Sequence, residues 1–405
     1  MGRLSGLDAA FLSLETRERP MHLGAVAVFQ GPVAPDRLRA LLAERAARLP
    51  ASRVAGSWFP SWWPASDFDP AAHVRGYAVS DQRTFEAYVA GWLATPLDLA
   101  RPPWDVHVVT GLPDDRFAVL VKLHHSLADG AGAVALAGAL LDGGMPPSRE
   151  TTPPSYGLGE TAAMAGAVAR AVRRPPAPAM LASGGSARRV AFVRLDLADV
   201  RQIRRQHGGT TNDVALAVLA GGLRSWLRSR DVEVDGLTPR ALIPVNTRAR
   251  GGAGGNQLSG YLCDLPVGLA DPVERLRAVR LAMDANKAGG PSSGAGTIAI
   301  LANRLPSAVH RLCAGPVAIA APLLFDTVVT NVPLPNVPLT IDGAPLAEIY
   351  PFGPLGPGHA LGVAISPYRD AVHIGLQTDR DAVPDIDVLA SAIGKSCATL
   401  HELAD

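Results

Sequence analysis

Cysteine is scarce in this 405-residue chain: Cys263, Cys313 and Cys397 are an odd number, far apart, with no CxxC or Cys/His spacing. Neither a disulfide framework nor a metal site is supported by that pattern. Charge of one sign is also missing, since 38 Lys and Arg face 37 Asp and Glu, for a net charge of +1. With 19% charged residues overall, the chain lacks the clustered cations that neutralise phosphates, which argues against a nucleic-acid partner. Long apolar runs are absent too. The longest uncharged one, Leu312 to Phe325, is interrupted by Pro316 and Pro322, well short of the roughly 20 residues of a membrane span. The opening segment MGRLSGLDAAFLSLETRERP mixes Arg, Asp and Glu into its apolar residues, so it has no secretory h-region, and Gly6 stands where a myristoylation motif requires Ser or Thr. A soluble, cytoplasmic protein is expected.

What the chain does contain is a large supply of core. Hydrophobic residues make up 48%, and the length suits two or three domains. Glycine (41) and proline (35) are plentiful, which predicts many turns. One composition shift stands out: Met145 to Arg189 is rich in Pro, Gly, Ala and Ser, with proline pairs at 146–147, 153–154 and 175–176 that no regular element carries inside. It predicts an N-terminal domain over 1–144, a crossover linker over 145–187 and a C-terminal domain over 188–405. Within the linker, Glu160 to Arg174 has acids first and bases last, as a short helix would, either docked or lying on a membrane surface.

Strands are expected at Ala25–Gln30, Asp105–Leu112 and Phe117–His125 in the first half, with helices at Ala34–Leu49 and Gly130–Leu141. The second half repeats the alternation. A strand at Arg188–Leu197 is followed by two helices, the second opened by a Thr210 or Thr211 cap, and by strands at ALIPVN, YLCDLPVGL, FDTVVTNV, HALGVAI and AVHIGLQTD. Each half mixes strands and helices, which predicts two α/β layers side by side.

Chemistry concentrates in one place, His124-His125-Ser126-Leu127-Ala128-Asp129-Gly130, on a strand-to-helix connection. Adjacent side chains of an extended segment point to opposite faces, so one imidazole faces a given cleft and the other is structural. A neutral imidazole suits a general base that deprotonates a hydroxyl. Asp129, followed by a glycine, is placed to pair with a cation or orient a histidine. Read from these residues alone, the cluster also fits loop histidines without function or part of a metal site, although no HExxH accompanies it. Two other matches are decoys. Gly290 to Gly294 fits GxSxG but lacks the strand–turn–helix of a nucleophile elbow, and Gly130 to Ala135 fits GxGxxA without an acid at ribose spacing.

HHSLADG resembles the HHxxxDG motif of the bacterial wax ester synthase/diacylglycerol acyltransferase family, part of the CoA-dependent acyltransferases that include chloramphenicol acetyltransferase and peptide-synthetase condensation domains. The resemblance runs in order along most of the chain: LSGLDAAFL, MHLGAVAVF, WPASDFDPAAHVR, PLDLARPPWDVHVVTGL, GTTNDVALAVLAGGLRSWL, PVNTR, GNQLSGYLCDLPV, TNVPLP, YPFGPL and GLQTDRDAVPD. It implies an α/β fold of two chloramphenicol-acetyltransferase-like domains with mixed sheets and an inter-domain substrate tunnel. It also implies an O-acyltransferase that joins an acyl thioester to an alcohol, of wax ester or triacylglycerol type, by direct transfer with no acyl-enzyme. His125 is then the general base, with His124 and Asp129 beside it. Gly130 is the motif glycine and Arg248 the salt-bridge partner of Asp129, unless Arg248 is a solvated loop residue. Asn212 and Asp213 match an Asn-Asp pair at a tunnel-lining helix, though both residue types are ordinary caps there, and Trp104 stands in a PPW that replaces the usual PLW. Acyl-CoA is the implied co-substrate, or an acyl carrier protein the donor, with no permanently bound cofactor; peripheral association with membranes or lipid inclusions is a further implication. Leu334 in TNVPLP and Pro367 in SPY also depart from the family pattern and bear on acceptor choice. Two rival readings are a pathway-specific acyltransferase acting on a secondary metabolite and a noncatalytic lipid- or acyl-thioester-binding protein. Trp58, Trp62 and Trp63 are grouped; core packing is the ordinary reading, a tunnel mouth or partner surface the alternative.

Overall fold

The computed structural model describes residues 2–56, 58–144, 185–246, 258–289 and 305–404. Its first part runs β1 (Gly2–Arg3), α1 (Gly6–Leu14), β2 (His22–Gln30), α2 (Pro35–Ala46), β3 (Ser52–Ala55), β4 (Ser61–Pro64), β5 (Val74–Ala78), α3 (Gln82–Ala94), β6 (Trp104–Leu112), β7 (Arg116–His124) and α4 (Gly130–Gly138). The second runs β8 (Arg188–Asp196), α5 (Leu197–His207), α6 (Thr211–Arg228), β9 (Arg240–Asn246), β10 (Leu258–Asp264), α7 (Pro272–Gly289) and α8 (Ser307–Ala320). It continues with β11 (Thr327–Asn331), β12 (Thr340–Ile341), β13 (Ala344–Phe352), β14 (Leu361–Tyr368), β15 (Ala371–Asp379) and α9 (Ile386–Glu402).

Two six-stranded mixed sheets carry the fold, in the orders β12-β13-β2-β7-β6-β5 and β10-β9-β11-β14-β15-β8. β7 is central to the first, and its residues are buried from Phe117 onward, as expected of a strand covered on both faces. One face packs on Leu38 and Leu42 of α2. The other meets Phe85 and Val89 of α3 together with Val190 of β8, so α3 and the edge of the second sheet share a core with the first. In the second sheet β15 is buried over its whole length. It shares a core with α6, whose residues from Asp213 to Leu223 are all buried, as befits a helix segment apolar on every side.

β13 departs from the sequence reading. APLAEIYPF carries prolines at 345 and 351 and shows no strand signal, yet it pairs antiparallel with β2, with an irregularity between Leu346 and Glu348. Residues from beyond position 188 therefore complete the first sheet. β13 also lies against the second sheet: a Cβ added at Gly375 of β15 would come 2.2 Å from the Pro351 carbonyl oxygen, so only glycine permits that approach. The tryptophan group is a second departure. Trp58 and Trp63 are 50% and 40% exposed, because the sheet β1-β4-β3 is built of two- and four-residue strands with too little area to bury them. The linker helix read at 160–174 and the GxSxG match at 290–294 lie outside the described residues.

Candidate active site

The histidine pair sits where β7 ends, held by both neighbouring strands. His22 faces His124 in the β2–β7 register, the His124 N–H donates to Pro103 O at 2.9 Å, and the His125 N–H donates to Met21 O at 2.9 Å. The chain then turns, Leu127 N–H to His124 O, and enters α4. Asp129 is the N-cap of that helix: it is fully buried and its Oδ1 accepts the Gly132 N–H at 2.8 Å. A Cβ at Gly130 would meet no heavy atom within 4 Å, so packing among the described residues does not demand a glycine there and space is left open beside the motif.

The two imidazoles have different surroundings. His124 is fully buried. Its Nδ1 lies 2.7 Å from Ser126 Oγ and accepts the Ser126 backbone N–H at 3.1 Å. A backbone N–H can only donate, so the His124 proton resides on Nε2, which lies 3.3 Å from Glu15 Oε2. Nδ1 of His124 is thus taken up by Ser126, while Nε2 faces the Glu15 carboxylate without a formed hydrogen bond among the described residues. The His125 ring instead stacks on Phe11, with centroids 3.8 Å apart and planes inclined by 13°.

Phe11 lies in α1 and Glu15 is its C-cap, four residues on, with the Glu15 N–H donating to Phe11 O at 3.1 Å. A Ser5–Asp8 capping box starts this helix. Glu15 Oε1 also accepts the Met21 N–H at 3.2 Å, and Met21 O is the acceptor for His125. One carboxylate therefore faces the His124 ring directly and is linked to the His125 backbone through a single residue, Met21. Behind the pair, burial, with the Lys122 ammonium adding to it, holds His22 well below the ordinary histidine range. Lys122 is 1% exposed and is satisfied by Trp92 O at 2.7 Å and Thr95 O at 2.9 Å. Asp105 stands 3.5 Å from its ammonium.

The other expected site residues are scattered. Asp213 closes a capping box with Thr210, accepting the Thr210 N–H at 2.8 Å while Thr210 Oγ1 accepts the Asp213 N–H at 3.2 Å, which is the cap reading. Asn212 Oδ1 accepts from Asn331 Nδ2 at 3.2 Å, tying the start of α6 to the end of β11. Trp104 does not line an opening: it is 1% exposed, donates its indole N–H to Pro50 O at 3.0 Å and packs on Phe68 and His73 in the first core. Its large apolar ring is worth more buried there than facing a channel. Arg248 lies outside the described residues. Phe11 and Glu15 were not read from the sequence, although LSGLDAAFL carries Phe11 and could have prompted the question.

Comparison with known proteins converges on one family. The wax ester synthase/diacylglycerol acyltransferase catalytic domain matches residues 4–158 and 149–215, and the WS/DGAT C-terminal domain matches 254–401. A probable diacylglycerol O-acyltransferase of Mycobacterium tuberculosis is 34% identical, covering 99% of this chain and 96% of its own. A second relative from that organism, of the same description, is 30% identical over 98% of each chain. Among solved structures, the wax ester synthase/diacylglycerol acyltransferase of Marinobacter aquaeolei VT8 superposes with a TM-score of 0.75 at 28% identity, covering 99% of both chains. The first condensation domain of the calcium-dependent antibiotic synthetase, at 15% identity, 100% and 96% coverage and a TM-score of 0.63, shares the fold alone. With a histidine-bearing strand end, an Asp-capped helix and family models over both halves, the chain belongs to the wax ester synthase/diacylglycerol acyltransferase family and is an ester-forming acyltransferase of α/β, chloramphenicol-acetyltransferase-like architecture.

Proposed function

We propose that the chain transfers an acyl group from acyl-CoA to an alcohol, with His125 as general base. The observation that carries this reading is the difference between the two rings: His124 is fully buried with its Nδ1 taken by Ser126 and its Nε2 facing the Glu15 carboxylate, whereas the His125 ring stacks on Phe11 at the turn into α4, so the proton traffic is assigned to His125. The His125 imidazole takes the acceptor hydroxyl proton as the oxygen attacks the acyl carbon. The new C–O bond forms, the C–S bond breaks, and the same imidazolium protonates the departing thiolate. No acyl-enzyme is required. His124, Asp129 and Gly130 then act as supports, the first two by hydrogen bonds that orient the motif and the third by leaving room for the thioester. On this reading the substrates meet in a tunnel between the portions 1–144 and 188–405, with Arg248 near Asp129 and Asn212 near its wall. The names of the relatives favour diacylglycerol as one acceptor, with long-chain alcohols as the other class; an acyl carrier protein is the alternative donor.

Purified protein given acyl-CoA and diacylglycerol or a long-chain alcohol should release free CoA in proportion to ester formed, and only with acceptor present. His125→Ala should lower turnover by about 10²- to 10⁴-fold with an unchanged melting temperature. Near-normal turnover by that variant would overturn the mechanism. Thiol release from neither CoA nor carrier-protein donors, with any alcohol, would overturn the activity.

Lipid-surface association is the second part of the proposal. Leu312 and Ile319, seven residues apart on one face of α8, are 69% and 78% exposed, Val317 is 46% exposed, and Phe59, which follows Trp58 in the chain, is 73% exposed. The Arg311 guanidinium lies 5.0 Å from the Trp58 ring centroid, and Ser307 Oγ donates to Trp58 O. The longest apolar run and the tryptophan group, far apart in sequence, thus form one exposed patch with a cation stacked on an aromatic. That is the chemistry of an interfacial helix rather than a spanning one. No helix among the described residues is long and apolar enough to cross a membrane.

A further inference from the structure

The C-terminal end of α6, α9 and the first turn of α7 border an open recess of about 470 Å³, lined by Arg224, Arg228, Arg275 and Lys395 with Ser396 and Thr399 and, among the described residues, by no carboxylate; the Thr399 hydroxyl donates to Lys395 O at 3.0 Å. Arg275 is 6% exposed. Its Nη1 donates to Leu269 O at 2.9 Å and Ala270 O at 3.4 Å, while its Nε has no hydrogen-bond partner among the described residues. Arg224 Nη1 in the same way serves Val267 O and Gly268 O at 3.0 Å. Holding the 267–270 connection therefore uses Nη1 of each guanidinium and leaves the Arg275 Nε without a hydrogen bond among the described residues.

Nearby acids do not cancel this charge. Asp271 is committed to the start of α7, accepting the Val273 and Glu274 N–H groups at 2.8 Å. Asp235 stands 3.7 Å from Arg224 Nη2 but is 82% exposed, where screening by water leaves such a pair little worth. Burial first and the Arg224 charge second push the Arg275 pKa down, with the Asp271 carboxylate opposing them. A buried cation facing a like charge and only partly balanced by a carboxylate already bound to a helix end is costly, and an entering anion lowers that cost.

We propose that this recess is a binding site for a phosphate-class oxyanion, either free phosphate or the phosphate of a monoester. Guanidinium groups from two helices, with the Lys395 ammonium and the Ser396 hydroxyl from a third, suit a tetrahedral oxyanion, which accepts bidentate and single hydrogen bonds together. Pro272, the first residue of the 18-residue α7, also lines the recess. Along α6, Arg224 and Arg228 stand 12 and 16 residues from Asn212, about 18 to 24 Å. The recess is thus set apart from the end of α6 that carries the family motif.

The test uses the full chain and reads binding, so its outcome is independent of the acyltransferase mechanism. Inorganic phosphate and sn-glycerol 3-phosphate are titrated calorimetrically at fixed ionic strength, with chloride as control. Wild type should bind at least one of them, and the double variant Arg228→Gln/Lys395→Gln should bind about tenfold more weakly or worse. Both positions are exposed, so the fold should survive, as an unchanged melting temperature in chloride will verify; Arg275→Lys, which keeps the charge and loses the fork, should also weaken binding. Preference for the monoester would assign the site to an esterified phosphate, and preference for inorganic phosphate to the free ion. No binding beyond the chloride control, or equal binding by wild type and double variant, overturns the proposal.

Discussion

Glu15 is asked to do more than any other side chain near the motif. Its two oxygens reach the Met21 N–H and the His124 Nε2, so its charge stabilises one tautomer of His124 and, through Met21, the backbone of His125. Removing the charge while keeping the shape separates these effects. Glu15→Gln should destabilise the protein by about 1 to 3 kcal/mol, the range of a charge-assisted hydrogen bond, and lower kcat with little change in KM, because substrate contacts are untouched. Glu15→Asp, one methylene shorter, cannot span both partners and should not rescue. Steady-state kinetics and thermal melts check this; unchanged kcat in Glu15→Gln would remove Glu15 from the site. Nothing in SLETRERP announces such a role. The carboxylate acquires its meaning only when α1 is laid across the ends of β2 and β7.

At the scale of elements, local signals were reliable where one element explains itself. The 210–213 segment reads as a helix start, and the structure selects Thr210 as the cap through the Asp213 box. α8 is a different case. Its sequence, SAVHRLCAGPVAIA, contains Pro316 and reads as a broken apolar run, yet it forms a helix whose buried side carries His310 and whose outer side is apolar. Sequence pattern alone assigns apolar residues to a core; here the neighbouring elements leave the outer ones uncovered. Leu312→Asp combined with Ile319→Asp should therefore preserve the melting temperature, since neither side chain is buried, and reduce co-sedimentation with phosphatidylcholine/phosphatidylglycerol vesicles several-fold. Undiminished sedimentation of a well-folded double variant would show that this face does not meet lipid.

The whole molecule depends on β13, which hydrogen-bonds into the first sheet and packs on the second at Gly375. Tyr350 of β13 meets His373 of β15 edge to face, with centroids 5.3 Å apart. Burial pushes the His373 pKa down from 6.5 to about 4, and burial also lowers His22, His73, His107 and His359. A depressed histidine is neutral in the fold and protonated more readily in the unfolded chain. Its contribution is fully present above the unfolded pKa near 6.5 and is lost as pH falls toward the folded value. For His373 alone the loss between pH 6.5 and 5 is about 2 kcal/mol, from roughly 1.4 kcal/mol per pH unit. His373→Phe keeps an aromatic ring against Tyr350 and removes the titration, so its stability, followed by denaturant unfolding from pH 7 to 5, should fall less steeply than that of wild type. Equal slopes would mean that His373 is not neutralised by the inter-sheet contact.

What the sequence by itself determined is whatever depends on near neighbours or on an ordered set of motifs: the strands at 25–30, 105–112 and 117–125, the strand-to-helix placement of HHSLADG, the Thr210 cap, the two-part α/β class and the family. These follow from side-chain periodicity and from hydrogen bonds that close within a few residues. Tertiary structure alone decided that His124 is locked by Ser126 and Glu15, that Phe11 backs His125, that Trp104 is core, and that proline-bearing 344–352 is a strand completing the first sheet. The physical reason is common to all four. Each depends on a long-range strand pairing, or on a helix crossing strand ends, that brings together groups whose separation along the chain carries no local signal.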